Sequence, residues 1–136
     1  MTQSHAEALR DRLTCIEQTY EFMLAYAAQG VTGDEAGGAG AQLRDFLRRC
    51  NEALEGLPQL LKTLVATPQR EPAAAYEAFI DIVRRDAQST QAALQLVLAQ
   101  PAISSQLIDN LNAWMHLRAL LTDLFVIDEL LRNAQR

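Results

Sequence analysis

Arg118 is the residue of this chain best placed to do chemistry. It stands inside an apolar and aromatic run, Leu107, Leu111, Trp114, Leu121 and Phe125. The four-three spacing of that run keeps its side chains on one stripe of an α-helix. A guanidinium on such a stripe must be paired with an acid, or must reach along its own stem to water. Two readings follow. In the first, Arg118 is buried against a carboxylate of another helix, such as Glu17, Glu21 or Asp81. In the second, Arg118 and Trp114, with Tyr20 and Tyr76 as further aromatic walls, grip an anionic ligand. Tyr20 and Tyr76 also fall on apolar seams of their own helices, where a tyrosine serves equally well as core.

The other reactive residue types do not assemble into a motif. A di-iron helical bundle needs Glu-x-x-His pairs, and neither His5 nor His116 has an acid three residues before it. Asp109, Asn112, His116 and Asp123 share one polar face, which reads as solvated surface. A phosphotransfer histidine is followed by Lys, Gly and small residues; His116 is followed by Leu117, Arg118, Ala119 and Leu120. Cys15 and Cys50 lie outside any C-x-x-C or C-x-x-C-H pattern and fall in apolar-periodic helices, so they read as small buried hydrophobes. Five of the six glycines lie within residues 30–40. That stretch is not a phosphate loop, because no strand precedes it, no Lys-Ser/Thr follows it, and Asp34 and Glu35 would repel phosphate. It reads as a flexible connector. No metal, no cofactor and no catalytic residue is expected.

The segment Leu9-Arg10-Asp11-Arg12-Leu13-Thr14-Cys15-Ile16-Glu17 resembles the opening helix of the all-α chorismate mutases, over fewer than twenty residues. That family places an arginine further along the helix to hold a carboxylate. This chain has Ala25, Tyr26 and Ala27 there, so no catalytic residue carries over.

The elements that position these residues are all helical. Ser4 with Glu7 three residues on is a capping box. It opens a helix whose seam is Leu9, Leu13, Ile16, Tyr20, Met23 and Ala27, closed by Gly30. The second helix begins near Ala41, with the seam Leu43, Leu47, Cys50, Leu54, Leu57, Leu61 and Leu64. Gly56 and Pro58 fall inside that seam, so the helix must kink or break there without losing phase. The third runs from about Pro72 to Ala99 (Tyr76, Ile80, Val83, Ala87, Thr90, Leu94, Val97). The fourth runs from Ser104 to near Asn133. No segment alternates with period two. The expectation is a single domain over residues 1–136, an all-α antiparallel four-helix bundle with the second helix kinked or broken at Gly56-Pro58.

The fourth helix carries a second stripe, Leu117, Leu120, Leu124, Ile127 and Leu131, about 120° from the Arg118 stripe at about 100° per residue. Two apolar sides need two sets of neighbours, so the second stripe is expected to be an interface for a homodimer or another protein partner. Net charge is −5 over 136 residues. The basic residues Arg44, Arg48 and Arg49 are diluted by Asp45, Glu52 and Glu55, so nucleic acid is not an expected partner. Hydrophobic residues make up 49% of the chain, enough for a real core. No apolar run approaches the ~20 residues of a membrane span, and Met1-Thr2-Gln3-Ser4-His5 is not a signal pattern. A cytoplasmic protein, bacterial in its Ala, Leu and Arg bias, is expected. The functional expectation is a non-catalytic interaction, regulatory or assembly protein that self-associates through its last helix. The alternative is a ligand-binding bundle, enzymatic or not, with its pocket at Arg118 and Trp114.

Overall fold

The computed structural model describes residues 3–33, 38–113 and 115–133. Within them the chain is all-α, with six helices: α1 (His5–Ala27), α2 (Gly38–Leu54), α3 (Leu57–Ala66), α4 (Ala73–Leu98), α5 (Ser105–Ala113) and α6 (Met115–Asn133). Helix α1 packs on α2, α3 and α5 and touches α6; α4 packs on α2, α3 and α6. No helix among the described residues is long and apolar enough to cross a membrane.

Helix α1 starts where its cap dictates. The Ser4 hydroxyl accepts the Glu7 N–H at 3.1 Å, satisfying a donor that the first helical turn leaves free. Leu9, Leu13, Ile16 and Met23 are buried on its inner side. Between them Thr19 is fully buried, and its hydroxyl bonds the carbonyls of Cys15 (2.8 Å) and Phe46 (3.2 Å), tying α1 to α2.

Helix α2 begins at Gly38, three residues before the start expected from its seam, and ends at Leu54. Gly56 turns left-handed (φ 71°) and Pro58 lies in the first turn of α3. A left-handed residue here suits glycine, which has no Cβ to clash, and proline is tolerated where the helix lacks an N–H acceptor anyway. All seven seam residues from Leu43 to Leu64 are buried, so α2 and α3 feed the same core.

Two arginines fasten helix ends that would otherwise leave carbonyls unbonded. Arg12 Nη1 donates to Ala53 O at 3.0 Å and also to Glu55 O, at the end of α2. Arg44 Nη1 and Nη2 donate to Leu98 O (3.0 Å) and Gln100 O (2.6 Å), at the end of α4. Arg44 is therefore half-buried and structural.

The flexible connector expected over residues 30–40 is anchored at its start. Val31 N–H donates to Ser105 Oγ (2.8 Å), Ser105 N–H donates to Val31 O (2.8 Å), and Ser105 Oγ donates to Tyr26 O (2.6 Å). Tyr26 Oη donates to Ile103 O at 2.6 Å. These bonds clip the end of α1 to the start of α5. Asp34, Glu35, Ala36 and Gly37 lie outside the described residues.

Helix α6 reverses the expected roles of its two stripes. Leu117, Leu120, Leu124, Ile127 and Leu131 are all buried within the single chain, so the stripe expected to meet a partner is this protein's own core. Arg118 is exposed, and its ion pairing with Glu17, Glu21 or Asp81 is not formed. The reason is energetic. The helix can turn one stripe fully inward, and the Arg118 stripe would take an unpaired guanidinium with it, at a cost of several kcal/mol. The five-aliphatic stripe carries no such cost and goes in. The Arg118 stripe rotates outward, leaving Phe125 49% exposed while Leu121 remains at the core's edge.

Candidate functional site

The described residues expected to grip a ligand lie on three different helices. Arg118 is exposed on α6, Tyr20 is half-buried on α1 and Tyr76 is half-buried on α4. The Trp114 position lies outside the described residues. Tyr76 lines a groove with Val126, Ile127 and Leu130, and Arg118 is eight residues from Val126, about 12 Å along the helix.

The groove itself is largely apolar. It measures about 430 Å³ and lies between α4 and α6, walled by Pro72, Ala75, Tyr76, Phe79, Val126 and Leu130, with Glu71 at its rim. The α4 stripe Ala75, Phe79, Ile82, Asp86 and the α6 stripe Ala119, Asp123, Val126, Leu130 each follow helical spacing. Phe79 meets the Val126–Leu130 end of α6 and Asp86 meets Asp123, so the two helices run antiparallel. Val126 (44%), Leu130 (46%) and Ile82 (41%) remain exposed beside Phe125. Four large apolar side chains of α4 and α6 thus stand in water.

The Asp86–Asp123 pair crosses the same furrow. Asp123 Oδ2 is buried without a hydrogen-bond partner among the described residues. Burial first, then the facing Asp86 carboxyl, pushes Asp123 up to about 7. Neither carboxylate can donate to the other until one of them takes a proton, so protonation creates the bond across the furrow. The folded form holds its proton up to about pH 7, whereas an unfolded Asp loses it near pH 3.9. Stability is therefore expected to fall as pH rises through that window. Asp123→Asn, which donates without titrating, is expected to raise stability at pH 8 by about 1 kcal/mol after allowance for solvent screening. It should also flatten the decline between acid and neutral pH. Urea melts at several pH values check this; parallel profiles for the two proteins would refute it.

A second cleft, about 480 Å³, lies between α3 and α4 and is charged, with Lys62, Glu77, Asp81 and Arg84 around Val65 and Ile80. Its charges neutralise each other locally: Asp81 pairs with Arg84 and, at 3.1 Å, with Arg85. The thiols offer no nucleophile. Cys50 is buried, its pKa is pushed up to about 12 by burial and by the neighbouring Cys15, and burial raises Cys15 as well. A thiol so raised stays protonated and unreactive at neutral pH. No group of three or more His, Cys, Asp or Glu among the described residues is arranged to hold a metal ion.

Another polar residue is buried without all of its partners, and the sequence reading passed over it. Arg70 sits in the link between α3 and α4, beneath a turn in which Thr67–Pro68 and Glu71–Pro72 are both cis. It is 5% exposed. Its Nε donates to Leu64 O at 3.0 Å, fastening the end of α3, but Nη1 and Nη2 are buried and unbonded among the described residues. The sequence carried no signal for this, because a residue between two prolines belongs to no periodic stripe.

No family model, curated protein or solved structure matches this chain.

Proposed function

We propose that this chain is a non-catalytic, cytoplasmic interaction protein that pairs with a second copy of itself through the outer face of α6 and the rim of α4. In this reading the six helices form an antiparallel four-helix bundle, with α2 and α3 as one rod broken at Gly56 and α5 and α6 together as the last rod. The observation that carries the reading is the exposure of three large apolar side chains on α6: Val126 and Leu130 at the α4 groove (44% and 46%) and Phe125 further round the helix (49%). Monomeric proteins expose single apolar side chains freely, but several large ones on one short helix mark a surface that meets a partner.

A second copy fits the charge pattern of that face. Arg118 and Glu129 lie on the same exposed arc as Phe125, on opposite sides of it along the helix. A two-fold antiparallel pairing of α6 with α6 brings Arg118 of one copy opposite Glu129 of the other, with Phe125 between them. Helix α6, at 19 residues, is about 28 Å long. That length, with the groove rim of α4, suits an interface of the usual ~800 Å² per partner. Arg118, unsuited to the core, serves as a rim charge in this arrangement.

The test replaces Phe125 and Leu130 with Asp. The native protein is expected to scatter light as a dimer and the double variant as a monomer with unchanged helix content, because both side chains are already in water in the single chain. A native protein that stays monomeric at submillimolar concentration would overturn the reading, as would a variant that remains dimeric.

A further inference from the structure

We propose that the groove between α4 and α6 is a binding site for a small hydrophobic ammonium ion, a molecule that joins an apolar body to a single amine. The groove has the room and stands open to solvent. It measures about 430 Å³, within the roughly 300–1,000 Å³ of small-molecule sites. Its walls match an apolar body: Tyr76 and Phe79 of α4 and Val126 and Leu130 of α6 line it, with the fully buried Ile127 in its floor. From Pro72 to Phe79 the lining follows two turns of α4, about 10 Å. A ring laid along it would cover apolar surface that Val126 and Leu130, at 44% and 46% exposure, now present to water.

Charge selects the class of ligand. Glu71, an exposed carboxylate, stands at the rim, and no Lys, Arg or His among the described residues lines the groove. A fatty acid or an aryl carboxylate would bring its charge against Glu71 with no cation to offset it. Asp86 and Asp123, further along the same furrow, are acids too. Glu71 Oε2 accepts the Ala73 N–H at 3.1 Å, and a carboxylate keeps further lone pairs on both oxygens. An ammonium can therefore meet Glu71 at the wet rim while its apolar body lies between the helices. A second copy of the chain is the rival occupant, because Val126 and Leu130 also belong to the proposed self-associating face. Phe125, which that face needs, is not part of the groove lining, so the two occupants are separable by experiment.

The test titrates phenethylammonium chloride and follows the Tyr76 ring and the Val126 and Leu130 methyls by NMR. Phenylpropionate serves as a probe of similar shape and opposite charge, and sodium chloride as the ionic-strength control. The amine is expected to shift all three residues saturably with one midpoint. The acid should bind about fivefold more weakly, the difference between one exposed attraction and one exposed repulsion. Glu71→Gln, which keeps an acceptor for the Ala73 N–H, should erase most of that preference. Ala75→Trp fills the groove from an exposed position and should abolish binding; if it fails to fold, Glu71→Gln decides. Absence of a saturable response would overturn the site, as would undiminished binding by a folded Ala75→Trp. Equal binding of the acid by the native protein, or an unchanged preference in Glu71→Gln, would overturn the ammonium assignment. Binding seen in Phe125→Asp and absent from a native dimer would give the groove to the second copy and overturn the ligand reading. A native protein that is monomeric and still binds the amine would uphold the site and remove only the self-association.

Discussion

Replacing Leu124 and Ile127 together with Asp is expected to unfold the protein, not to release a folded subunit. Both side chains are fully buried in the single chain. Truncating either one to Ala is expected to cost about 2–5 kcal/mol, and a carboxylate in the same place adds the cost of burying an unpaired charge. Two such changes exceed the whole stability of a typical domain, about 5–15 kcal/mol. Circular dichroism should show the helical signal lost at room temperature. A well-folded double variant with a cooperative melt would mean that α6 does not present this stripe to its own core. The contrast with Phe125→Asp and Leu130→Asp matters here. Those residues lie on the same helix, yet their replacement is expected to change assembly and leave the fold intact. Together the two pairs separate the inward and outward faces of α6 by experiment.

Ser105→Ala is expected to cost about 2 kcal/mol, a large effect for the loss of one hydroxyl. The Ser105 Oγ accepts the Val31 N–H at 2.8 Å and donates to Tyr26 O at 2.6 Å. Tyr26 O keeps a second bond, from Gln29 N–H at 3.1 Å. Val31 N–H has no such reserve, and leaving a donor unsatisfied in a partly buried place costs about 1–3 kcal/mol. The same bonds hold the end of α1 against the start of α5, so the loss is felt by both helices. Denaturant melts give the magnitude, and hydrogen exchange at the Val31 amide gives the cause. An unchanged melt with Val31 still protected would show that the clip contributes nothing.

Much of the fold was legible in the sequence because helices are local objects. Ser4 opens α1 where a hydroxyl can accept a free N–H, and the seam from Leu43 to Leu64 keeps its phase across Gly56 because both pieces pack on one core. The ends of α4 follow from Pro72 and from the approach of Pro101. The connector was only partly legible. Its glycines announce a non-helical stretch, but the bonds from Val31 to Ser105 join residues far apart in the chain, and no composition reveals them.

The site was not legible, for reasons that differ from residue to residue. Arg70 falls between helices, where periodicity is silent and burial depends on how the turn lies over the end of α3. Asp123 reads as a solvated surface acid on its own helix; its raised pKa exists only because α4 and α6 run antiparallel in a register that buries it against Asp86. Arg118 is the instructive case. Its stripe and the Leu124 stripe are both written plainly in the sequence, and the sequence by itself determined that α6 has two apolar sides. Which side faces inward was decided by the tertiary structure, since rotating α6 about its axis costs nothing locally. Only packing against α1, α4 and α5 breaks the tie, and it does so for the stripe that buries five aliphatic side chains without burying a charge.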